Sequence, residues 1–191
     1  MLDAFPEDYG GYLIRTDFRI GVQIALALAD EDMTPAARAA TALSLLYGNG
    51  VPNDLNFALE GLKWYMCGGE AEMGNEDGTE GENDGEVAFN FDYDHMRIYT
   101  AILKAYKIDI NTARLHWFAF RAMLSDVGEC AFSQIVGYRT KDTSGMPSKQ
   151  RAVYARLKKK FAVPRKFSAE EESKISEFFD LLGSAKPQDN T

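Results

Sequence analysis

The stretch Leu115-His116-Trp117-Phe118-Ala119-Phe120-Arg121-Ala122-Met123-Leu124 decides the fold. Read as the body of a helix running from about Thr112 to Leu124 and capped by Asn111, it spreads Leu115, Trp117, Phe118, Phe120, Ala122 and Leu124 around nearly the whole circumference. A surface helix keeps one polar side, whereas one that is apolar all round is buried by its neighbours. The stretch therefore predicts a central helix, and the sequence on either side should supply what covers it.

Upstream, Asp92 can cap a helix with Met96, Tyr99, Ile102, Leu103 and Tyr106 as its buried stripe. The short link Lys107-Ile108-Asp109-Ile110 makes that helix an antiparallel neighbour of the central one. Downstream, a short helix is expected from Ala131 to Gly137. A loop with Gly145 and Pro147 follows, then a helix from Ser148 to Phe161 that stops before Pro164. Nearer the start, Thr16 or Asp17 can cap a helix with Phe18, Val22, Ala25, Leu26 and Ala29 at three- and four-residue steps. Thr34-Pro35 opens another, because proline at the first helical position loses no hydrogen bond there. It should turn Ala39, Leu43, Leu46 and Tyr47 inward and stop at Gly48. Asn53 opens a further helix bearing Leu55, Ala58, Leu59, Leu62 and Tyr65 or Met66 on one face, ended by Gly68-Gly69. Tyr12-Leu13-Ile14, after Gly10-Gly11, reads as a strand or extended arm. At the far end, Ser168 and Glu171 fit a capping box before the stripe Ile175, Phe178, Phe179 and Leu182, with a polar tail from Ser184 that should fray. The class is all-α: a compact bundle of about seven or eight helices with a short β element near the N-terminus. The organisation expected is a helical domain over 1–166, with a mobile acidic loop at 70–86, and a C-terminal helix and frayed tail over 167–191.

Of 191 residues, 46% are apolar and 26% charged, enough for a sizeable core without a disulfide or metal staple. No apolar stretch has the length of a membrane span, and the first residues lack the basic and apolar regions of a signal peptide. Cys67 and Cys130 are too few for a disulfide framework and read as reduced thiols in a cytoplasmic protein.

The net charge of −8 divides unevenly. Glu70 to Glu86 holds eight acids, no base and four glycines, and the rest of the chain balances 21 acids against 21 bases. Such a segment cannot bury enough apolar surface to offset its ordering entropy. It also fails as a calcium loop: counted from Asn75, Glu80 stands where the turn requires glycine. Lys149 to Lys166 has eight bases and no acid. Arg156, Lys158, Lys159 and Lys160 form a candidate basic patch for nucleic acid or an acidic partner. The acidic balance of the whole chain and the absence of interleaved aromatics argue against nucleic acid.

Chemistry has little to build on. His116, inside the aromatic helix, reads as a hydrogen-bonded core residue. Asp92, Asp94 and His95 point in different directions around a helix start, so they do not converge as metal ligands. The acids there suit the positive end of the helix dipole. Cys67 and Cys130 lie 63 positions apart with no histidine beside either, and none of the glycine-rich phosphate-binding, nucleophile-elbow or zinc-helix motifs occurs. No catalytic residue, metal or cofactor is assigned, and the expectation is a protein that is not an enzyme.

Several pieces in order resemble the bacteriophage gene-product-fifteen family. They are Thr16-Asp17-Phe18-Arg19, Leu62-Lys63-Trp64-Tyr65-Met66-Cys67-Gly68, Asp92-Tyr93-Asp94 ahead of Tyr99, Ile108-Asp109-Ile110 with Leu115 to Arg121, and Phe132 to Arg139. The resemblance runs from about residue 12 to 164 and leaves out Glu70 to Glu86 and everything from Ser168 onward. It implies a product of the tail-morphogenesis region of long-tailed phages or prophages, encoded just before the tape-measure protein. A position of that kind implies a tail-assembly chaperone that keeps the tape-measure protein, or another tail protein, soluble in the host cytoplasm. A nucleic-acid or regulatory binder, or a structural tail component, is the alternative; presence in the virion and a homo-oligomer are left open. A chaperone for a long helical client needs an apolar groove with aromatics at helical spacing. Trp64, Tyr65, Trp117, Phe120 and Tyr138 are the candidates for it.

Overall fold

A computed structural model describes residues 4–70 and 87–164. The acidic loop and the C-terminal helix expected from the sequence lie outside the described residues. Among these residues the chain forms a two-stranded hairpin, β1 (Asp8–Tyr9) and β2 (Tyr12–Leu13), and seven helices: α1 (Phe18–Leu28), α2 (Pro35–Tyr47), α3 (Leu55–Met66), α4 (His95–Tyr106), α5 (Trp117–Ser125), α6 (Ala131–Thr140) and α7 (Ser148–Phe161). The strands pair antiparallel, Asp8 opposite Leu13 and Tyr9 opposite Tyr12. Helix α1 packs between α2 and α5, α2 also packs on α3, and α4 lies against α5 and α6; α7 packs on α6.

The central helix is shorter than its hydrophobic pattern. It begins at Trp117, not Thr112, because residues 110–116 make other bonds. The Arg19 guanidinium takes the carbonyls of Ile110 at 2.8 Å, Asn111 at 3.0 Å and Ala113 at 3.3 Å. Leu115 O accepts from Phe18 N at 3.0 Å, and Trp117 N donates to Thr16 O at 2.7 Å. The first amides of α1 and α5, which no helix can satisfy internally, are thus each met by the segment before the other helix. His116 sits at the start of α5 rather than within it: its Nδ1 accepts from Phe118 N at 3.0 Å. Its Nε2 lies 3.0 Å from Pro6 O. With Nδ1 accepting, Nε2 carries the proton and donates to Pro6.

Other starts follow side-chain chemistry. Asp17 caps α1, accepting from Arg19 N at 2.9 Å. Thr34 Oγ1 accepts from Ala37 N ahead of Pro35, and Gly48 closes α2 at φ +60°. The cap of α3 is Asp54, one position after Asn53, accepting from Asn56 and Phe57. Helix α6 extends past Gly137 to Thr140 from a cap made by Cys130, whose Sγ accepts from Ser133 N while Ser133 Oγ accepts from Cys130 N.

Several inward faces are rotated from the expected ones. Helix α1 buries Phe18, Gly21 and Ile24; of its expected stripe, Val22 and Leu26 are only partly covered and Ala29 is exposed. Helix α3 buries Ala58, Gly61, Leu62 and Tyr65 and turns Leu55 to solvent. Helix α4 buries Ile98, Ala101 and Ile102, and Met96 is 58% exposed. In α1 and α3 the rotation follows the small residues. Gly21 lies under the Trp117 indole and Gly61 under the Tyr47 hydroxyl and the Tyr9 ring, so close that a Cβ at either position would overlap those groups. Trp117 is itself clamped, its Nε1 donating to Tyr65 O at 3.0 Å while Tyr65 Oη donates to Arg15 O at 3.0 Å. Burial, and secondarily the Asp17 charge, pushes the Tyr65 phenol well above its ordinary range.

Gly21→Ala tests this packing, because local propensity and tertiary fit oppose one another. Alanine in a helix gains about 0.5–1 kcal/mol over glycine, whereas overpacking a core costs about 1–3 kcal/mol or more. Urea denaturation should show a net loss of stability for Gly21→Ala, and for Gly21→Ala in a Trp117→Leu background the loss should shrink or reverse.

Candidate functional site

An apolar cleft of about 600 Å³ opens where the segment before α4 meets α5 and α6. Phe89, Phe91, Trp117, Leu124, Phe132 and Val136 supply its apolar walls, and Arg121, Ser125, Asp126 and Ser133 its polar groups. The size lies within the range of pockets that take a small organic molecule. Its aromatics are interlocked: Phe89 meets Phe91 edge-on at 5.1 Å and Phe132 at 5.5 Å, and Phe91 leans on Trp117 and Phe120. Arg121 donates to Met66 O at the C-terminal end of α3, a favourable place for a cation.

The segment carrying Phe89 and Phe91 is held by one buried ion pair. Asp94 and Arg139 are 1% and 4% exposed. The guanidinium meets the carboxylate through both nitrogens, Nη1 to Oδ2 at 2.7 Å and Nη2 to Oδ1 at 3.1 Å. It also donates from Nη1 to Ala88 O at 3.1 Å and from Nε to Phe161 O at 2.6 Å. Asp94 accepts in addition from Arg97 at 2.7 Å and from Asn90 N at 3.1 Å. Its carboxylate is spent on these partners, so it makes no side-chain cap for α4 although it stands at that position. Burial alone would raise the Asp94 carboxyl. The hydrogen bonds from Arg139, Asn90 and Arg97, with the Arg139 charge, outweigh it and hold the group below the ordinary carboxylate range.

The sequence candidates fall in different places. Tyr65, Trp117 and Phe120 are 0%, 2% and 1% exposed; they are core residues, and only Trp117 reaches the cleft wall. Trp64 is half-buried in a second aromatic cluster, 5.1 Å from the ring of Tyr9 and 5.3 Å from Phe118. Tyr138 stacks on Phe161 at 5.7 Å, joining α6 to α7. The five are therefore not one surface. The lining residues Phe89, Phe91, Phe132, Val136 and Arg121 were not singled out as binding candidates. The visible signal was the pair Phe89-Phe91 just past the acidic run. In the basic patch, Arg156, Lys159 and Lys160 are exposed and Lys158 is half-buried. Helix α7 buries none of its residues. Among the described residues no group of three or more His, Cys, Asp or Glu side chains could hold a metal ion, and no helix is long and apolar enough to cross a membrane.

Fold and cleft define a mostly helical protein with an apolar cleft walled by interlocked aromatics. The family model described as Bacteriophage Gp15 protein matches residues 3–163, and the chain belongs to that family. The match covers the seven helices of the described residues and stops two residues after the end of α7. No curated protein and no solved structure matches the chain.

Breaking the Asp94–Arg139 pair from one side should cost about 3–5 kcal/mol, because the other charge is left buried. Asp94→Ala should therefore be more destabilising than Asp94→Ala with Arg139→Met. The pH dependence has a definite sign. With its folded-state pKa depressed, Asp94 contributes stability above the ordinary aspartate value of about 4 and loses it as pH falls through the folded value. The stability difference between the parent and Asp94→Asn, measured by urea titration, should be full at neutral pH and shrink below about pH 4.

Proposed function

We propose that this phage protein is a non-catalytic tail-assembly factor, a chaperone whose cleft receives an apolar helix of the tape-measure protein in the host cytoplasm. The cleft carries the reading. Its Phe89, Phe91, Phe132 and Val136 walls offer an apolar slot for side chains at helical spacing, and Arg121 and Ser133 can orient a polar flank. Membership of the Bacteriophage Gp15 protein family supports a phage setting. The buried charged groups support a binding role over chemistry, since Arg139 is satisfied by Asp94 and the carbonyls of Ala88 and Phe161, and Asp94 by Arg139, Arg97 and Asn90 N. Binding without a reaction centre suits a chaperone, which must release its client unchanged.

A second reading is favoured by α7, which exposes Lys149, Arg151, Arg156, Lys159 and Lys160 and no acid. It makes the protein a polyanion binder, with nucleic acid as the ligand. The two readings separate by substitution. Co-expression with the tape-measure protein should raise that protein's soluble yield, and Val136→Glu should lower the gain several-fold while Lys158→Ala, Lys159→Ala and Lys160→Ala together leave it intact. The reverse pattern, with duplex binding that weakens steeply as salt rises, favours the second reading. Unchanged client solubility in the parent protein would defeat the first.

A further inference from the structure

Helix α7 ends beside the cleft. Phe161 O and Ala88 O accept from the same Arg139 guanidinium, and Ala88 precedes Phe89 in the cleft wall. Arg139 also follows Val136 by three positions on α6, so the chain leaves α7 one helical turn beyond the lining residue Val136 and two beyond Phe132. From there 27 residues remain after Pro164. Eleven of them reach Ile175, and a chain of that length spans up to about 36 Å, ample for any point on the cleft.

The sequence in that remainder fits the cleft in pattern and in charge. Ile175, Phe178, Phe179 and Leu182 recur at the steps of three, four and seven that a groove reads from an apolar helix face. Around them, Ser168 to Leu182 holds five acids, Glu170, Glu171, Glu172, Glu177 and Asp180, against the single base Lys174. The cation among the lining residues is Arg121; the acid there, Asp126, is exposed. The neighbouring helix α7 adds Lys158, Lys159 and Lys160 at the end from which the segment departs.

We infer that the segment 168–182 of the same chain occupies the Phe89–Phe132–Val136 cleft, with Phe178 and Phe179 as its apolar anchors, and so acts as an internal substitute for a client. The seating itself is independent of what else the cleft binds; its consequence for client capture rests on the docking function proposed above. A client must displace the segment, and apparent affinity falls by the fraction of molecules whose cleft is open.

The test uses the full chain with p-benzoylphenylalanine replacing Phe178. Irradiation at low protein concentration should give adducts at monomer mass, mapped by mass spectrometry to peptides holding Phe89, Leu124 or Phe132 to Val136. Val136→Glu should abolish them. Adducts elsewhere on the chain, adducts only at dimer mass, or none at the cleft each overturn the inference. A parallel co-expression experiment separates it from the client reading. Phe178→Ser with Phe179→Ser should increase capture of the tape-measure protein, by about tenfold if the cleft is covered nine-tenths of the time. Cleft adducts with no client captured by either form uphold the internal seating and defeat the client reading. Client capture that the double substitution leaves unchanged, without cleft adducts, does the opposite.

Discussion

Two helix starts meet head to head in this molecule, and the rest of the bundle is arranged around their mutual bonding. The opening amides of α1 and α5 have no carbonyl within their own helices to bond. Phe18 N finds Leu115 O and Trp117 N finds Thr16 O, which draws residues 16–18 and 115–117 into one short antiparallel bridge. Arg19 then takes the carbonyls of the loop before α5, so that loop cannot coil. Trp117 enters the core at a single depth, over Gly21 and under Tyr65 O. The aromatic contacts of Phe91 and Phe120, and the cleft between α5 and α6, follow from where that indole lies.

The second constraint is electrostatic and of a different character. An ion pair removed from water contributes little net stability and is costly to break. The geometry shows what the pair joins: one guanidinium ties the segment before α4, α4 itself and the end of α7 to α6. Arg97 and Arg139 also lie over the Tyr93 ring, at 5.3 and 5.8 Å, which covers the pair on one side. This anchor fixes the backbone of the segment from which Phe89 and Phe91 reach Phe132, Trp117 and Phe120 to form the cleft wall.

Much of the architecture could be read from sequence because its signals are local. Thr34-Pro35, Gly48 and the limits Ser148 and Phe161 each express chemistry within a few residues, and the structure keeps them. The paired Tyr12-Leu13 was equally visible. The errors came where a distant partner outbids a local preference. Asn111 to Leu115 have helical periodicity, but Arg19, 92 positions from Asn111, holds them open. His116 and Cys130 cap helices although neither belongs to the usual capping residues. Tyr65, Trp117 and Phe120 have the composition of a docking surface and the burial of a core, and spacing within one helix does not say which face another helix will cover. The candidate cleft was the least legible part, since its walls come from segments that meet only after the bundle has closed.

One residue carries an implication for how this family can diverge. Arg139 presents its donors as a rigid planar fork to a carboxylate and two main-chain oxygens lying in different directions. Lysine, a point charge on a flexible stem, cannot reproduce that geometry, and a neutral residue at position 94 leaves the Arg139 cation buried without its carboxylate. Loss of either charge alone is therefore costly. A lineage that abandons the pair by way of one charge passes through a destabilised intermediate, which replacing both residues together avoids.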